Sequence, residues 1–129
     1  MDFQKRGVMK SQIRLKRAYN AAKDDDGCRI LVDRMWPRGI SKDKAKIDYW
    51  AKQIAPSDEL RKWYGHDPAK WERFKEQYFK ELDANPEALN ELMVYICQQE
   101  TATFVFSSKE EEFNNAAALK EYVDQFAEC

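Results

Sequence analysis

The sequence predicts a small single-domain α/β fold of three layers, in which a mostly parallel sheet of three or four strands is flanked by helices. The chain has 129 residues, a length typical of one domain. Two short apolar runs are bounded by polar residues, as in strands covered on both faces of a parallel sheet. Between these runs apolar residues recur at helical spacing, and an alternation of strands and helices is typical of α/β folds.

The composition indicates an ordered, globular chain. Charged residues make up 35% of the sequence, hydrophobic residues 43% and aromatic residues 13%, whereas disordered segments are poor in aromatic residues. No stretch approaches the roughly 20 apolar residues that cross a bilayer, and no apolar run follows the first basic residues as in a secretory signal. We therefore expect one domain over residues 12–127, a partly mobile tail over residues 1–11, and no membrane partner.

The first strand is predicted over residues 12–19, where apolar and charged residues alternate. The apolar members are Ile13, Leu15 and Tyr19, and the charged members are Arg14 and Lys16. A period of two with one charged face indicates a half-exposed strand near the edge of the sheet. The tract DDDG at 24–27 is predicted to be a turn, since it lacks the alternation and the distal glutamate of a calcium-binding loop.

Two buried strands are predicted around residues 30–32 and 104–106, where three apolar residues stand in succession. Both runs change abruptly from apolar to polar at their carboxyl ends. The connection from the first strand to the second is about eight residues, whereas a parallel crossover usually takes a dozen or more. The orientation of the first strand relative to the second therefore stays open.

Three longer helices are predicted from start signals that precede apolar residues at helical spacing. Asp67 and Asn85 each precede a proline, which suits the first position of a helix. Ser108 and Glu111 have the spacing of a capping box, so the last helix is predicted to open there. The apolar stripes are Trp71, Phe74, Tyr78 and Leu82; Leu89, Leu92, Met93 and Ile96; and Ala116, Leu119, Val123 and Phe126.

Residues 47–54 are ambiguous. Their apolar members have helical spacing, but the segment also suits a strand that ends before a proline. We favour a strand, which follows one helical turn over residues 41–46. Right-handed crossovers between parallel strands would then place helices on both faces of the sheet.

The loops after the two buried strands carry the best candidate for a functional site. Ligands of open α/β sheets bind outside the carboxyl ends of the strands, so these loops converge if the two strands are parallel neighbours. Arginines near the amino terminus of a helix bind anions. We therefore predict a site for a small anionic or phosphorylated molecule. Its candidate ligand-binding residues are Arg34, Trp36 and Arg38 in the first loop and Ser107, Ser108 and Lys109 in the second.

Further candidates come from the last helix and from the only histidine. Asn115 is predicted on the core-facing side of the helix and Asn114 beside its start, so both join the ligand-binding residues. Trp63 is a candidate for stacking on a flat ligand. Asp33 and His66 are the candidate catalytic residues, because a carboxylate or an imidazole moves protons near neutral pH.

Each of these residues also has a purely structural interpretation. Asp33 would pair with Arg34 or Arg38, and Ser108 would only cap a helix. Asn115 would hold the backbone at the adjacent strand end. The histidine and the tryptophans would belong to the core.

The sequence contains no pattern typical of a metal or cofactor site, and we predict neither. One histidine, scattered acids and three well-separated cysteines show no metal-ligand spacing. Four glycines are too few for a glycine-rich phosphate loop. Cysteines without a pairing pattern argue against a disulfide scaffold and are typical of a reduced compartment, so we expect a cytoplasmic protein.

The net charge of −1 hides an uneven distribution that suggests two alternative functions. Residues 1–38 carry ten basic and five acidic side chains, whereas residues 81–129 carry two basic and eleven acidic ones. The basic first strand suits a nucleic-acid- or nucleotide-binding module. The acidic end suits a non-catalytic protein-interaction module with a basic partner. The near-zero total excludes a wholly basic nucleic-acid coat, and the oligomeric state stays open.

Four segments give the sequence a specific resemblance to a known family. They are KRAY at 16–19, DGCRILVDRMWPRGISK at 26–42, IAPSDELRKWYGHDP at 54–68 and SKEEEFNNAAALKEY at 108–122. Through them residues 12–123 resemble the YeaO-like proteins, domain-of-unknown-function family 488. The resemblance implies a small bacterial or archaeal cytoplasmic α/β protein whose biochemical role is not established.

The chain departs from this family at two points. Family members often have a histidine at the position of Phe113, so a mechanism that needs that imidazole would fail here. Longer relatives carry a cysteine and a His-Arg pair near the last strand, where this chain has Ser107 and Ser108. The resemblance therefore argues against a thiolate nucleophile, and a serine without a base is a weak nucleophile.

Overall fold

The computed structural model describes residues 12–98 and 100–126 and contains one four-stranded sheet whose strands are all parallel. The strands are β1 (Gln12–Arg17), β2 (Cys28–Leu31), β3 (Tyr49–Trp50) and β4 (Thr101–Phe106), and their order across the sheet is β1-β4-β2-β3. This confirms the predicted fold class, a small α/β domain with a mostly parallel sheet. The tail predicted over residues 1–11 lies outside the described residues.

β4 lies between the first two strands and decides the orientation that the sequence left open. β1 runs parallel to β4, beginning with Gln12 opposite Thr101. β2 pairs with the other edge of β4, with Ile30 opposite Phe104. Because β1 and β2 are not neighbours, their short connection does not have to form a crossover between adjacent strands. The carboxyl ends of β2 and β4 lie side by side, as the candidate site requires.

Five α-helices occur in the described ranges: α1 (Lys42–Ala45), α2 (Asp58–Tyr64), α3 (Trp71–Asp83), α4 (Pro86–Ile96) and α5 (Asn115–Val123). The four longer helices share one core with alternate strand residues, whose members include Ile30, Phe74, Leu92, Phe104 and Leu119. None of the helices in these ranges is both long enough and apolar enough to cross a membrane.

The opposite face of the sheet carries a smaller cluster. Leu31 and Val105 point to this face, because successive strand residues alternate between faces, and they are fully buried. The side chains that cover them come from Trp36, Ile47 and Trp50. The two layers outside the sheet are therefore unequal, and the thinner one consists mainly of α1 and its flanking loops.

Most predicted element starts are confirmed. Ser41 caps the one-turn helix α1, and residues 49–50 form the strand that we favoured. Asp67 caps a 3-10 turn that leads directly into α3. Asn85 precedes α4 but does not cap it, because its Nδ2 donates to the carbonyl oxygen of Gln53.

The predicted start of the last helix at Ser108 is wrong, because α5 begins at Asn115. Ser108 Oγ accepts a hydrogen bond from the Glu110 N–H, which closes a local turn. The Glu110 carboxylate accepts hydrogen bonds from the N–H groups of Glu112 and Phe113. The Ser108 and Glu110 side chains thus accept hydrogen bonds from backbone N–H groups of a loop. The capping-box spacing had predicted a helix over the same residues.

Asn114 provides the cap that Ser108 does not. Its Oδ1 accepts a hydrogen bond from the Ala117 N–H at 2.8 Å, and its Nδ2 donates to the Glu110 carbonyl oxygen at 2.8 Å. The Asn114 side chain is buried, so both bonds replace contacts with water. Phe126, predicted in the apolar stripe, lies beyond the end of α5 and is exposed.

Replacing Asn114 with alanine is expected to lower the free energy of unfolding by about 1–2 kcal/mol, because an N-cap and its hydrogen bonds are lost. Asn114→Asp is the matched control, since it keeps an oxygen that accepts from Ala117. Urea denaturation of the three proteins measures the difference. Equal stability of Asn114→Ala and the parent protein would contradict the capping role.

The tract at 24–27 forms the predicted turn and also carries a buried ion cluster. The Asp26 carboxylate accepts hydrogen bonds from Lys16 Nζ at 2.8 Å and Arg29 Nη1 at 2.7 Å. Gly27 has a φ of 66°, and a Cβ there would lie 2.1 Å from the carbonyl oxygen of Thr101. The turn therefore requires glycine at this position, because a side chain would collide with β4.

One cysteine of the described residues, Cys28, lies at the start of β2. Cys28 is a free, buried thiol. Burial, together with the charge of Asp48, raises the pKa of Cys28 to about 11. Cys28 is therefore protonated at neutral pH and is a poor nucleophile.

Candidate functional site

A cavity of about 470 Å³ opens at the carboxyl ends of β2 and β4. Its walls combine the loop after β2, the loop after β4, the end of β1 and one side of α2. Eleven of its lining residues have polar or charged side chains. They are Tyr19, Asp33, Arg34, Arg38, Arg61, Tyr64, His66, Ser107 and Ser108, and the start of α5 adds Asn114 and Asn115.

Asp33 joins three elements at the floor of the cavity. One carboxylate oxygen accepts hydrogen bonds from Ser107 N–H at 2.8 Å and Ser107 Oγ at 2.7 Å. The other oxygen accepts from Asn115 Nδ2 at 3.0 Å. Asn115 Nδ2 also lies 3.1 Å from the carbonyl oxygen of Val32. Asp33 thus links the end of β2 to the end of β4 and to the start of α5.

This geometry favours a positioning role for Asp33 over proton transfer. Both of its oxygens are already bonded within the protein, and neither bonds to Arg34 or Arg38 as the structural interpretation expected. Asn115 bonds to the backbone at the end of β2, as its structural interpretation expected. It also lines the cavity.

Arg34 is held against the wall of the cavity by backbone oxygens. Its Nη2 donates to the carbonyl oxygens of Ala55 at 3.1 Å and Pro56 at 3.4 Å. Its Nε is buried and has no hydrogen-bond partner. No acidic side chain neutralises this guanidinium among the residues that the structure describes, so a positive charge remains at the cavity.

Arg38 and Arg61 bring two further positive charges to the cavity lining, and both are exposed. The Arg38 carbonyl oxygen accepts a hydrogen bond from the Tyr19 hydroxyl at 3.0 Å. Arg61 lies 3.5 Å from Asp58, one turn away on the surface of α2. An exposed ion pair at this distance contributes little, so Arg61 is available to a ligand.

His66 lines the cavity with an unusual backbone conformation. Its φ is 58°, directly after Gly65 with a φ of 53°, and such left-handed conformations at a non-glycine residue store strain. His66 Nδ1 lies 3.5 Å from Ser108 Oγ, at the limit of a hydrogen bond. Within the described residues no carboxylate bonds to the imidazole, so the serine-histidine contact lacks the third group of a catalytic triad.

Aromatic side chains form the apolar part of the cavity. Tyr64 and Phe74 stack at 4.3 Å between ring centroids and are buried. The Tyr64 hydroxyl donates to the carbonyl oxygen of Phe113 at 2.6 Å. Burial, helped by two nearby carboxylates, raises the pKa of Tyr64 to about 12, so this hydroxyl stays protonated. Trp36 packs edge-on against Trp50.

Two of the predicted ligand-binding residues lie outside the cavity lining. Trp63 is on the exposed side of α2, where the Lys70 ammonium lies 5.0 Å from the centroid of its ring. Lys109 is exposed in the loop after β4. The other predicted residues are brought together: Asp33, Arg34, Trp36, Arg38, His66, Ser107, Ser108, Asn114 and Asn115.

Sequence reasoning missed eight residues of the cavity lining, among which are Tyr19, Arg61, Tyr64 and Phe74. Arg61 and Tyr64 are three residues apart and therefore lie on one face of α2. Their segment, residues 60–68, suggested a site only through His66 and Trp63, and it also contributed to the family resemblance. Tyr19 was assigned to the apolar face of the first strand, although it lies just beyond the end of β1.

Residues 12–98 and 100–126 contain no group of three or more His, Cys, Asp or Glu side chains that could hold a metal ion. The polar groups of the cavity are cationic or neutral apart from Asp33. The charged side chains of the lining are therefore mostly cationic.

Comparison with known proteins identifies the family. A family model described as "Inactive DUF488-N3 subclade" matches residues 12–128, which is nearly the whole chain. The chain belongs to this subclade. The resemblance to domain-of-unknown-function family 488, based on four sequence segments, is thereby confirmed.

Relatives of this DUF488 protein are found in several bacteria. The uncharacterised protein YeaO of Escherichia coli is 40% identical over 111 residues, which cover 86% of this chain and 96% of YeaO. An uncharacterised protein of Mycobacterium tuberculosis is 45% identical over 75 residues, which cover 58% of this chain and 64% of the relative. The match thus spans less than two thirds of the mycobacterial relative. No solved structure matches the chain.

The two positions at which the resemblance implied departures from the family occupy defined places in this DUF488 protein. Phe113 packs its ring 5.4 Å from the ring of Trp71. Ser107 is bonded to Asp33 through both its N–H and its hydroxyl.

Proposed function

We propose that this protein binds a small anionic molecule in the cavity at the carboxyl ends of β2 and β4, without transforming it. One observation carries the proposal: three arginines, Arg34, Arg38 and Arg61, line a cavity in which Asp33 is the single carboxylate. Asp33 carries one negative charge against the positive charges of the three arginines, so the lining has an excess of positive charge.

The size and lining of the cavity support a small-molecule ligand. Its volume of about 470 Å³ lies within the roughly 300–1,000 Å³ of small-molecule sites. Aromatic and other apolar side chains share the lining with polar and charged groups that could orient a ligand. Guanidinium groups favour carboxylate and phosphate because they donate paired hydrogen bonds.

Binding without catalysis is supported by the state of the candidate catalytic residues. Asp33 is bonded to Ser107 and Asn115, and the hydroxyl of Ser108 has only a 3.5 Å contact with His66 as a base. The description of the subclade as inactive agrees with this arrangement.

The nucleic-acid alternative has less support because the first strand uses its cations internally. Lys16 Nζ is bonded to Asp26. The Arg17 guanidinium donates to the carbonyl oxygens of Ser107 and Ser108. These side chains cannot neutralise phosphates without giving up contacts that hold the fold. No observation favours the protein-interaction alternative specifically.

Methyl phosphate is a suitable probe, since it has the anionic group and no apolar body. We expect Arg38→Ala and Arg61→Ala each to weaken its affinity about tenfold or more, because each variant removes a charge-assisted hydrogen bond. A ¹H–¹⁵N chemical-shift titration measures the affinity and shows which residues respond. Arg73→Ala is the matched control, because Arg73 is exposed on α3 and does not line the cavity.

Two results would contradict the proposal. The first is that the parent protein binds neither methyl phosphate nor inorganic phosphate at millimolar concentration. The second is that Arg38→Ala and Arg61→Ala bind these anions as tightly as Arg73→Ala does.

A further inference from the structure

We infer that the ligand carries its anionic group on a flat aromatic ring, and that the ring stacks on Tyr19. This inference rests on the proposed function and adds to it the chemical class of the ligand. It comes from the way in which Tyr19 is held at the mouth of the cavity.

Tyr19 is fixed in place by two neighbours. Its hydroxyl donates to the Arg38 carbonyl oxygen at 3.0 Å, and the Arg17 guanidinium carbon lies 5.1 Å from the centroid of its ring. Arg17 is itself anchored, because its Nε donates to the Ser108 carbonyl oxygen at 2.8 Å and its Nη2 to that of Ser107 at 3.3 Å. The ring therefore has little freedom to lose when a ligand binds.

The fixed ring is nevertheless 47% exposed. No other aromatic ring stacks on Tyr19 in the part of the chain that the structure describes. An aromatic side chain that is held and still open on one side offers a preformed surface for a second flat ring. The Arg17 guanidinium and the hydrogen bond to the Arg38 carbonyl oxygen together hold the Tyr19 ring in this position, although the ring is not packed into the core.

Other residues at the mouth suit the same type of ligand. Met35 is 72% exposed and lines the same cavity, and the thioether of methionine packs favourably on aromatic rings. Arg38, whose carbonyl oxygen is bonded to Tyr19, brings its cationic side chain to the same lining. An aromatic ring on Tyr19 would thus place its anionic substituent beside an arginine.

The parent protein alone can test this inference with three matched phosphates. Phenyl phosphate offers a flat ring, cyclohexyl phosphate offers a ring of similar size that is not flat, and methyl phosphate offers no ring. We expect phenyl phosphate to bind about tenfold more tightly than methyl phosphate, with cyclohexyl phosphate between them, because stacking on an aromatic side chain adds affinity that a puckered ring recovers only in part.

Variants then assign the effect to Tyr19. Tyr19→Ala is expected to remove the preference for phenyl phosphate over methyl phosphate, whereas Tyr19→Phe keeps the preference because the ring remains. Trp63→Ala is the matched control, since Trp63 is 42% exposed and lies outside the cavity lining. If Tyr19→Ala fails to fold, the comparison of the three phosphates on the parent protein and on Tyr19→Phe decides.

The outcomes separate this inference from the proposed function. Equal affinity for phenyl, cyclohexyl and methyl phosphate would overturn the aromatic class while leaving anion binding in place. Absence of binding by all three would overturn both. If instead a 5′-phosphorylated oligothymidylate bound far more tightly than phenyl phosphate, with an affinity that falls steeply with salt, the ligand would be a nucleic acid and not a small molecule.

Discussion

Replacing Asp26 with asparagine is expected to lower the free energy of unfolding by about 3–5 kcal/mol, the usual cost of breaking a buried ion pair by removing one partner. The Asp26 carboxylate lies 2.7 Å from Arg29 Nη1 and 2.8 Å from Lys16 Nζ. The side chains of Asp26 and Arg29 are each only 4% exposed. Asparagine has nearly the same shape, so the variant removes the charge and not the packing.

The cost is large because, among the residues that the structure describes, Asp26 forms the one ion pair of the Arg29 guanidinium. Its Nε donates to the Ala45 carbonyl oxygen, and its Nη2 is buried without a hydrogen-bond partner. The Asp48 carboxylate accepts from the backbone N–H of Arg29 and not from the guanidinium. Without the Asp26 carboxylate, a buried guanidinium would keep its charge without an ion-pair partner. The cluster also connects Lys16 of β1 with Arg29 of β2, so its loss would weaken contacts on both sides of β4.

The stability difference between the parent and Asp26→Asn should depend on pH. Burial by itself would raise the pKa of Asp26, but hydrogen bonds from Lys16, from the Lys23 N–H and from Arg29 outweigh it and hold the pKa below its usual value. A carboxyl group with a lowered pKa in the folded state stabilises the protein above its unfolded pKa, about 3.9. The difference should therefore be complete at neutral pH and shrink as the pH falls through the lower pKa of the folded state.

Urea denaturation of both proteins between pH 7 and pH 2.5 measures this difference. Asp25→Asn is the matched control, because Asp25 is exposed and lies 3.7 Å from Arg14 on the surface, where ion pairs contribute little. An Asp26→Asn protein as stable as Asp25→Asn at pH 7 would show that the buried cluster does not hold the fold.

The sheet could be predicted because its signals are local. Three consecutive apolar residues mark β2 and β4, and each strand is covered on both faces as such runs indicate. The order of the strands could not be predicted, because β4 inserts between β1 and β2 from more than 70 residues along the chain. Only contacts between distant segments settle which strands are neighbours.

The sequence predictions failed where a side chain forms a hydrogen bond or an ion pair that residue spacing does not indicate. The spacing of Ser108 and Glu111 matches a capping box, but Ser108 bonds to Glu110 N–H and Asn114 caps the helix. Asp26 stands in a tract that suits a turn, yet its side chain is buried and forms ion pairs with Lys16 of β1 and Arg29 of β2. Sequence spacing does not encode these partners.

The candidate site, like the fold, was predicted from the sequence only in part. Residues at the two strand ends were found because the topology of α/β sheets fixes where those ends lie. Tyr19, Arg61 and Tyr64 were missed because they reach the cavity from the end of β1 and from α2. Their contribution depends on how these elements pack around the strand ends, which periodicity does not determine.

Asp33→Ala is expected to lower the free energy of unfolding by about 3 kcal/mol, because three hydrogen bonds to a charged acceptor are lost and their donors are left unpaired. The donors are the N–H and the hydroxyl of Ser107 and the amide of Asn115. Asp33→Asn should lose less, since it keeps one oxygen that accepts. Asp43→Ala, which removes an exposed carboxylate of α1, is the control for a change in surface charge.

This experiment also decides between the two roles considered for Asp33. A carboxylate reserved for proton transfer contributes little to stability, and its removal often leaves a protein as stable or more so. Removal of a carboxylate that joins β2, β4 and α5 must destabilise the protein. The shape of the cavity must then change as well. We therefore expect Asp33→Ala to lose stability in urea. If Asp33→Ala were as stable as Asp43→Ala, the carboxylate would be free of a structural role, and proton transfer would again be the better explanation for its position.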